Sequence, residues 1–384
     1  MSPSPDTRIR VLYSIPNFIT AGSGGAMLNI ASRLDPERFE PSFVVLQRGG
    51  TLEERIEASG WSLYEVPYCF RAKPRPTLPW RAWRLARRLP WPTPHVWHSF
   101  HYADDYTEPL VARLSGARGW IYTKKNMNWH ARSWLVRTRL AHRVVAQNTD
   151  MLTSFFDSPR FAAKTVRIPR GVDAERFRPD VEPQLGVRRQ LGIDASTPLL
   201  GCVGQLLPVK GHDVLIRAMP RLEGAHLAIA GAGDDTTMGR SLQALAGELG
   251  VSDRVHLLGP VRDVPAFLTE LDVFVHPTLG RGRMEGCPVA VLEAMAAGRA
   301  IVATDIPGTR DLIVSDESGI LVPPEDVDAL DAAIRPLLAS ADARASFGDG
   351  ARSRVLDSFT IQHEVAAHAA LYEEIATAQG WSGA

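Results

Sequence analysis

The chain has 384 residues, more than one compact core usually accommodates, so we expect about two domains. Hydrophobic residues make up 45% and charged residues 22%, as in globular proteins, which argues against a disordered chain. The longest uncharged segment, residues 11–32, is interrupted by proline, asparagine and several glycines. We therefore expect neither a transmembrane helix nor a signal peptide.

Charge is distributed unevenly although the formal net charge is zero. Residues 1–185 carry 27 Lys and Arg against 17 Asp and Glu, and the remainder carries 16 against 26. The basic excess is concentrated in residues 71–143. This excess suggests an anionic partner: a nucleic acid, a membrane surface or a phosphorylated substrate. Arginines that only solvate surface helices would explain the same composition. The cysteines Cys69, Cys202 and Cys287 fit no disulfide or metal-binding spacing, which favours a reducing compartment.

Strands and helices alternate along the first half of the chain. The strand "IRVLYSI" is followed by a glycine-rich loop that enters an amphipathic helix, "PNFITAGSGGAMLNIASRL". Further strands are predicted at "PSFVVLQRGG", "WSLYEVPY", "HVWHSFH", "GWIYTKKN" and "HRVVAQN", with helices at "TLEERIEASG" and "LPWRAWRLARRLP". This alternation predicts an α/β fold with a doubly wound parallel sheet.

The same alternation restarts in the second half, at the strand "PLLGCVGQL", after a proline-rich, charged linker. We predict one Rossmann-like domain at 1–180 and a second Rossmann-like domain at 181–358. A C-terminal helix at 359–384 would cross back toward the first domain. Two such domains facing each other leave a central cleft, lined by the carboxyl ends of their strands.

Four segments are candidates for chemistry, each with a structural alternative. The loop Gly22–Ala26 can hold an anion with its amides, or can need positive φ angles. Lys210, on a loop between a strand and a helix, can meet a diphosphate or be a solvated lysine. His98 and His101 end a strand and can bind a polar substrate or be structural. Asp326 and Asp328 stand where a helix begins, so capping explains them and we assign no metal.

The segment "MEGCPVAVLEAMAAGRAIVATDIPG" carries Glu285 before a Gly-Cys-Pro turn and Glu293 within a helix of small residues. A carboxylate on such a helix is either solvated at a surface or held for a ligand. By contrast, "IAGAGD" lacks the third glycine of a dinucleotide-binding fingerprint, so we expect a turn there.

Together these segments resemble the family 4 glycosyltransferases. The resemblance covers nearly the whole chain and is strongest over 204–308, where Glu285 and Glu293 form the Glu-x7-Glu signature of that family. It implies a GT-B architecture, in which 1–180 is the acceptor-side domain and 181–358 the nucleotide-sugar-binding domain. It also implies transfer of a sugar from a nucleotide donor with retention of configuration. It implies no metal and no cofactor besides that donor.

The resemblance also implies roles for individual residues. Glu293 would bind the ribose of the donor nucleotide, and Glu285 would lie near the reacting carbon of the sugar. Lys210 would neutralise the diphosphate and His101 would reach a distal hydroxyl of the sugar. The remaining donor-binding residues implied are Gly24, Gly25, Gln205, Gly286 and Cys287.

Three residues depart from the family pattern. Gln205 stands where most relatives have Arg, and the nearby Arg281 and Arg283 are our candidate replacements at the diphosphate. Arg170 stands where Asn is usual, and Cys287 is smaller than the common Phe or Leu, which would alter the sugar pocket.

The basic segment at 71–91 contains residues suited to an anionic membrane surface. An ordinary surface helix with a partly buried Trp83 explains it equally well, and without a recognition motif we expect no nucleic-acid partner. The residues concerned are Trp80, Trp83, Arg84, Arg87 and Arg88.

We therefore predict a cytoplasmic, retaining, metal-independent hexosyltransferase, working at the inner face of the membrane on a glycan or lipid-linked acceptor. Its product would be a surface polysaccharide or a glycolipid. Two alternatives remain: a nucleotide-sugar epimerase or hydrolase of the same fold, and a weakly catalytic GT-B protein that binds nucleotide sugars.

Overall fold

The computed structural model describes residues 8–19, 21–101, 105–129, 131–182, 186–282, 284–378 and 380–381. The chain forms two compact units. The first comprises Met1–Lys125, Trp129–Arg170 and Ile361–Ala384, and the second comprises Asn126–Asn128 and Gly171–Thr360. The assignment changes after Arg170 and after Thr360, where the sequence suggests 180 and 358.

The first unit is built on a parallel sheet of seven strands in the order β3-β2-β1-β4-β5-β6-β7. Its central strands are runs of apolar and β-branched residues buried on both faces, as parallel sheets require. The strands are β1 Ile9–Ile15, β2 Phe39–Val45, β3 Leu63–Glu65, β4 Val96–Ser99, β5 Gly119–Lys124, β6 Arg143–Ala146 and β7 Thr165–Arg167.

Seven helices connect these strands, with a 3-10 turn at Arg75–Thr77. They are α1 Ala21–Ala31, α2 Glu53–Ala58, α3 Leu78–Ala86, α4 Thr107–Leu114, α5 Ser133–Leu140, α6 Thr149–Phe155 and α7 Pro159–Ala162.

The expectation of a loop at Gly22–Ala26 is wrong, because these residues form the first turns of α1. None of the three glycines there has a positive φ angle. A Cβ atom added to Gly24 would lie 2.9 Å from the Phe18 ring, so close packing explains this glycine.

The second unit contains a parallel sheet of six strands in the order β10-β9-β8-β11-β12-β13. The strands are β8 Leu199–Val203, β9 His226–Ala230, β10 Val255–Gly259, β11 Val273–His276, β12 Ala300–Thr304 and β13 Ile320–Val322. The helices are α8 Val187–Leu191, α9 His212–Ala218, α10 Thr237–Glu248, α11 Val264–Thr269, α12 Val289–Ala296, α13 Thr309–Leu312, α14 Val327–Ala339 and α15 Ala341–Ser358, with 3-10 turns at Pro208–Lys210 and Met219–Arg221.

Both sheets have a topological switch point, which confirms the predicted doubly wound α/β fold. In the first sheet the strand order reverses between β1 and β4, and in the second between β8 and β11. The loops that follow these strand pairs diverge to opposite faces and leave a crevice at the carboxyl edge of the sheet. Lys210 and Glu285 follow one such pair of strands, and α1 and His101 follow the other.

The last helix, α16 Ile361–Ala378, belongs to the first unit and completes its core. Tyr372 is buried among Tyr13, Phe39 and His98, and its hydroxyl hydrogen-bonds to His98 Nδ1 at 2.7 Å. His98 Nε2 lies 2.8 Å from Thr123 Oγ1. His98 is thus a structural histidine, the alternative left open by the sequence.

The unusual Arg170 also has a structural explanation. Its Nη1 donates a 2.6 Å hydrogen bond to Glu364 Oε1, and both side chains are buried. A buried charge requires a partner, so this ion pair holds the start of α16 against Arg170, where the segment Trp129–Arg170 of the first unit ends.

Two further expectations concern whole-chain properties. No helix within the described ranges is long and apolar enough to cross a membrane. The three cysteines carry free thiols.

Acidification should destabilise the protein through its buried histidines. Burial lowers the pKa of His368 to about 4, while its Nδ1 donates to the Glu364 carbonyl. The folded-state pKa lies below the unfolded value of about 6.5, so stability is full above that pH and is lost as pH falls toward 4. His368 alone should cost about 2 kcal/mol at pH 5.

Thermal unfolding at pH 7.5 and pH 5 checks this expectation. The drop in Tm should be smaller in His368→Asn, which keeps a donor near Nδ1, than in the unmodified protein. His363→Asn, at an exposed position on the same helix, is the control. Equal drops in all three proteins would contradict the assignment.

Candidate functional site

Lys210 lies at the switch point of the second sheet, on the loop after β8, which packs tightly against the loop after β11. It ends the 3-10 turn that follows β8, and Gly211 comes next with φ +66°. A Cβ atom at Gly211 would lie 2.0 Å from the Pro277 carbonyl oxygen, so only glycine allows this approach. The Leu279 amide also donates to the Val209 carbonyl at 2.8 Å. The loops after β8 and β11 are therefore joined through their backbones.

Glu285 follows β11, and the structure brings it together with Lys210. Lys210 Nζ donates a 2.9 Å hydrogen bond to Glu285 Oε1. The Glu285 side chain remains 40% exposed, so a ligand can still reach it. Two other residues contact the backbone at Glu285 and Met284. Asn126 forms an antiparallel bridge with Glu285, and the Met127 amide donates to the Met284 carbonyl at 3.2 Å.

The surroundings keep Glu285 ionised. Burial acts to raise its pKa, but the positive charge of Lys210, that of His276 when protonated, and the hydrogen bond from Lys210 together lower it. Burial, aided by Lys210, lowers the pKa of His276 to about 3, so this histidine is neutral near pH 7. Lys210 is therefore the cation that balances Glu285 at neutral pH.

His276 is a site residue that the sequence analysis misses. It is buried at the end of β11, with Nε2 3.8 Å from Glu285 Oε2 and 3.0 Å from Thr278 Oγ1. Thr304 Oγ1 in turn donates to the Thr278 carbonyl at 2.6 Å. The sequence feature that could have identified it is the histidine at the end of the otherwise apolar strand "VFVH". This end of the strand lies at the edge of the sheet where ligands bind.

Glu293 lies on α12, the helix that follows the Glu285 loop. Its pKa is shifted in the opposite direction to that of Glu285. Burial raises the pKa of Glu293 to about 7, although the charge of Arg176 opposes this. Between the two glutamates, Gly286 and Cys287 are buried. The loop is packed against Gly308, whose φ is +97° and whose added Cβ would lie 2.8 Å from the Gly286 carbonyl oxygen.

Of the two arginines expected to replace the missing one, the structure describes Arg281 alone. Gln205 is exposed, and its backbone carbonyl accepts a 3.4 Å hydrogen bond from the buried His212. Arg281 is mostly exposed and pairs with Glu325 at 2.9 Å. Arg283 lies outside the described residues.

The other predicted residues belong to the first unit and lie at its own switch point. Gly24 and Gly25 are in the first turns of α1, and His101 follows β4. The His101 amide donates to Ser99 Oγ at 3.3 Å, and its ring meets Tyr68 edge-on. Burial, followed by the charges of Arg137 and Lys125, lowers the pKa of His101 to about 3, so it is a neutral imidazole.

The Asp-x-Asp segment is a helix cap, as predicted. Asp326 Oδ1 accepts a 2.9 Å hydrogen bond from the Ala329 amide at the start of α14. Within the described part of the chain, no three His, Cys, Asp or Glu side chains are close enough together to hold a metal ion.

Comparison with known proteins identifies the family. The profile described as "Glycosyl transferases group 1" matches residues 197–340. The GDP-mannose-dependent alpha-(1-6)-phosphatidylinositol monomannoside mannosyltransferase of Mycolicibacterium smegmatis is 31% identical over 326 residues, which cover 80% of this chain and 82% of the relative. The chain belongs to the family 4 glycosyltransferases. A lipopolysaccharide core mannosyltransferase of Rhizobium leguminosarum, LpcC, is 29% identical and covers 78% of this chain and 84% of its own.

Solved structures agree on the fold. A glycosyltransferase of Rickettsia africae superposes with a TM-score of 0.83 at 18% sequence identity. The match covers 96% of this chain and 98% of the Rickettsia chain. Anabaena HepE in complex with UDP has a TM-score of 0.79 at 17% identity, covering 95% of this chain and all of its own. The predicted GT-B glycosyltransferase fold is confirmed, and the protein is a glycosyltransferase.

Replacing Gly211 with Ala should displace Lys210 and weaken binding of a nucleoside diphosphate at least tenfold. The added methyl group would collide with the Pro277 carbonyl in a backbone conformation that disfavours alanine. Isothermal titration with GDP and UDP measures the change.

Gly224→Ala is the matched control, since Gly224 has φ +72° with no atom within 4 Å of an added Cβ. It should lose about 1 kcal/mol of stability and retain the affinity. Unchanged affinity in Gly211→Ala would show that the loop contact does not position the site.

Proposed function

We propose that this glycosyltransferase moves a hexose, with retention of configuration and without a metal ion, from a nucleoside-diphosphate sugar to a glycan or lipid-linked acceptor. The observation that carries the proposal is the hydrogen-bonded pair of Lys210 and Glu285 at the switch point of the second sheet. We further propose mannose as the sugar and GDP as the nucleotide, because the Mycolicibacterium relative is GDP-mannose-dependent and the Rhizobium relative is a mannosyltransferase.

The charges of this pair suit the reaction. Breaking the bond between sugar and phosphate leaves positive charge on the sugar and negative charge on the departing diphosphate. An ammonium group has three donors, so Lys210 can keep its bond to Glu285 and also meet a diphosphate oxygen. Glu285, held ionised by Lys210, would stabilise the oxocarbenium-like sugar.

The remaining roles follow the family resemblance. Glu293 would accept hydrogen bonds from the ribose hydroxyls, while the amides of Gly286 and Cys287 would contact the sugar. From the first unit, His101 would reach a distal sugar hydroxyl as a neutral imidazole, and Gly24 and Gly25 would approach the donor. Arg281 and Arg283 would supply the charge that Gln205 lacks.

A donor panel tests this function. Among UDP-, GDP- and ADP-sugars, GDP-mannose should give the fastest release of nucleoside diphosphate, and EDTA should leave the rate unchanged. Glu285→Gln should lower kcat about 100-fold or more while GDP still binds, because it removes a charge that acts mainly in the transition state. Lys210→Ala should weaken GDP binding.

Glu223→Gln, an exposed glutamate of the same unit, is the control for Glu285→Gln. NMR of the product should show the α-anomer. An inverted anomer, a requirement for a metal ion, or free or epimerised sugar as the main product would each contradict part of the proposal. Loss of GDP affinity in a variant with Ala at Arg281 and Arg283 would support their assigned role.

We propose that α3 and the arginines after it bring the first unit to an anionic membrane, where a lipid-linked acceptor resides. Trp80 and Trp83 are 57% and 44% exposed, whereas Ala82 and Ala86 of the same helix are buried. The guanidinium of Arg84 lies 5.3 Å from the Trp80 ring centre, and that of Arg87 lies 4.4 Å from the Trp83 ring centre. Arg88 is also exposed. Exposed indole rings paired with arginines suit the interface of anionic lipids.

Vesicle co-sedimentation tests this surface. The protein should bind vesicles with 30% phosphatidylglycerol more tightly than pure phosphatidylcholine, and added salt should weaken the binding. Changing both Trp80 and Trp83 to Ser should reduce binding several-fold. Leu114→Ser is the control, because Leu114 is a 47% exposed apolar residue on another helix of the same unit. Equal binding by the two variants would rule out α3 as the contact.

A further inference from the structure

The first unit contains a buried arginine to which the proposed function assigns no role. Arg137, on α5, is 1% exposed, and its guanidinium lies 4.8 Å from the Trp120 ring centre and 5.0 Å from that of Tyr122. Its nearest acidic partner is Glu108 on α4, which is fully buried. A charge removed from water in this way needs several hydrogen bonds to be tolerated.

The shortest of those hydrogen bonds go to a residue at the end of β4 and to one just before α4. Arg137 Nη1 donates to the Asp105 carbonyl at 2.7 Å, and Nη2 donates to Ser99 Oγ at 2.9 Å. The distance from Nη2 to Glu108 Oε2 is longer, 3.5 Å. The planar guanidinium therefore holds residue 99, which ends β4, and residue 105, which lies just before α4. His101 lies between them.

Neighbouring contacts hold the same segment. Ser99 Oγ donates to Glu108 Oε2 at 2.8 Å and accepts the 3.3 Å hydrogen bond from the His101 amide. Glu108 also accepts a hydrogen bond from Ser14 Oγ on β1. Lys125 Nζ donates to the Phe100 carbonyl and, at 3.0 Å, to Ser23 Oγ on α1. Residues on both sides of His101 are thus fixed to β1, α1, α4 and α5.

We propose that Arg137 is a positioning residue for sugar transfer: by donating to Ser99 Oγ, which accepts the hydrogen bond of the His101 amide, and to the Asp105 carbonyl, it sets the position of His101. The inference rests on the proposed function, in which His101 contacts the donor sugar. A lysine cannot replace Arg137, since one ammonium lacks the planar fork that spans Ser99 and Asp105.

A double-mutant cycle tests whether Arg137 acts through His101. Arg137→Lys and His101→Ala should each lower kcat/KM for the best donor 10- to 100-fold. Combining them should lower it less than threefold beyond His101→Ala alone, because residues that act as one unit are not additive. Losses that multiply would overturn the inference. A large loss in Arg137→Lys with none in His101→Ala would instead show that the proposed role of His101 is wrong.

The pH profile separates positioning from a general loss of structure. Among the residues that the structure describes, the charged groups that act on the pKa of His101 are Arg137, Lys125 and Asp105. In Arg137→Met, removing the nearby positive charge should raise the pKa of His101 and move the acidic limb of kcat/KM to higher pH. A profile that is lower at every pH without moving would overturn the inference.

Two further variants guard against misfolding. If Arg137→Met does not fold, Ser99→Ala removes the shared hydroxyl while leaving both buried charges in place, and it should lower kcat/KM by a smaller factor. Arg139→Met, an exposed arginine on the same helix, should leave kcat/KM and Tm unchanged. Full activity in both Arg137→Lys and Ser99→Ala would overturn the inference.

Discussion

The ion pair between Lys210 and Glu285 joins residues that are 75 positions apart in the sequence, and the second unit's site depends on it. Sheet topology brings the two loops to one crevice, and Gly211 and Gly308 let the surrounding backbone approach without collision. Burial is the largest single influence on the pKa of Glu285, but the charge of Lys210, that of His276 when protonated and the hydrogen bond from Lys210 together outweigh it. The carboxylate therefore stays charged in a place where burial alone would favour its protonated form.

The two glutamates of one signature differ in their protonation because they differ in their neighbours. Glu285 has an ammonium group within hydrogen-bonding distance, whereas Glu293 has only the opposing charge of Arg176 against its burial. The histidines near the switch points, the buried His276 and the partly buried His101, are neutral at physiological pH. Positive charge at these sites therefore comes from lysine and arginine side chains.

The alternation of strands and helices, the loop that contains Lys210 and the segment that contains Glu285 and Glu293 could each be recognised from sequence, because each is a local pattern. The glycines at 22–25 could not be placed correctly. Their low helix propensity predicts a loop, but the packing of Gly24 against Phe18 overrides it. The pair of Arg170 and Glu364, 194 positions apart, and the contact of His276 with Glu285 depend on tertiary proximity, which no local pattern contains.

The position of α16 has a consequence for how the chain is made. The second unit is nearly continuous in sequence, and all its strands have been synthesised once Val322 has been added. The first unit begins earlier but lacks Tyr372, which fills the centre of its core, until the last helix leaves the ribosome. The second unit can therefore finish folding before the first, although the first is translated before it. Until then, the apolar surface that α16 covers is open to chaperones.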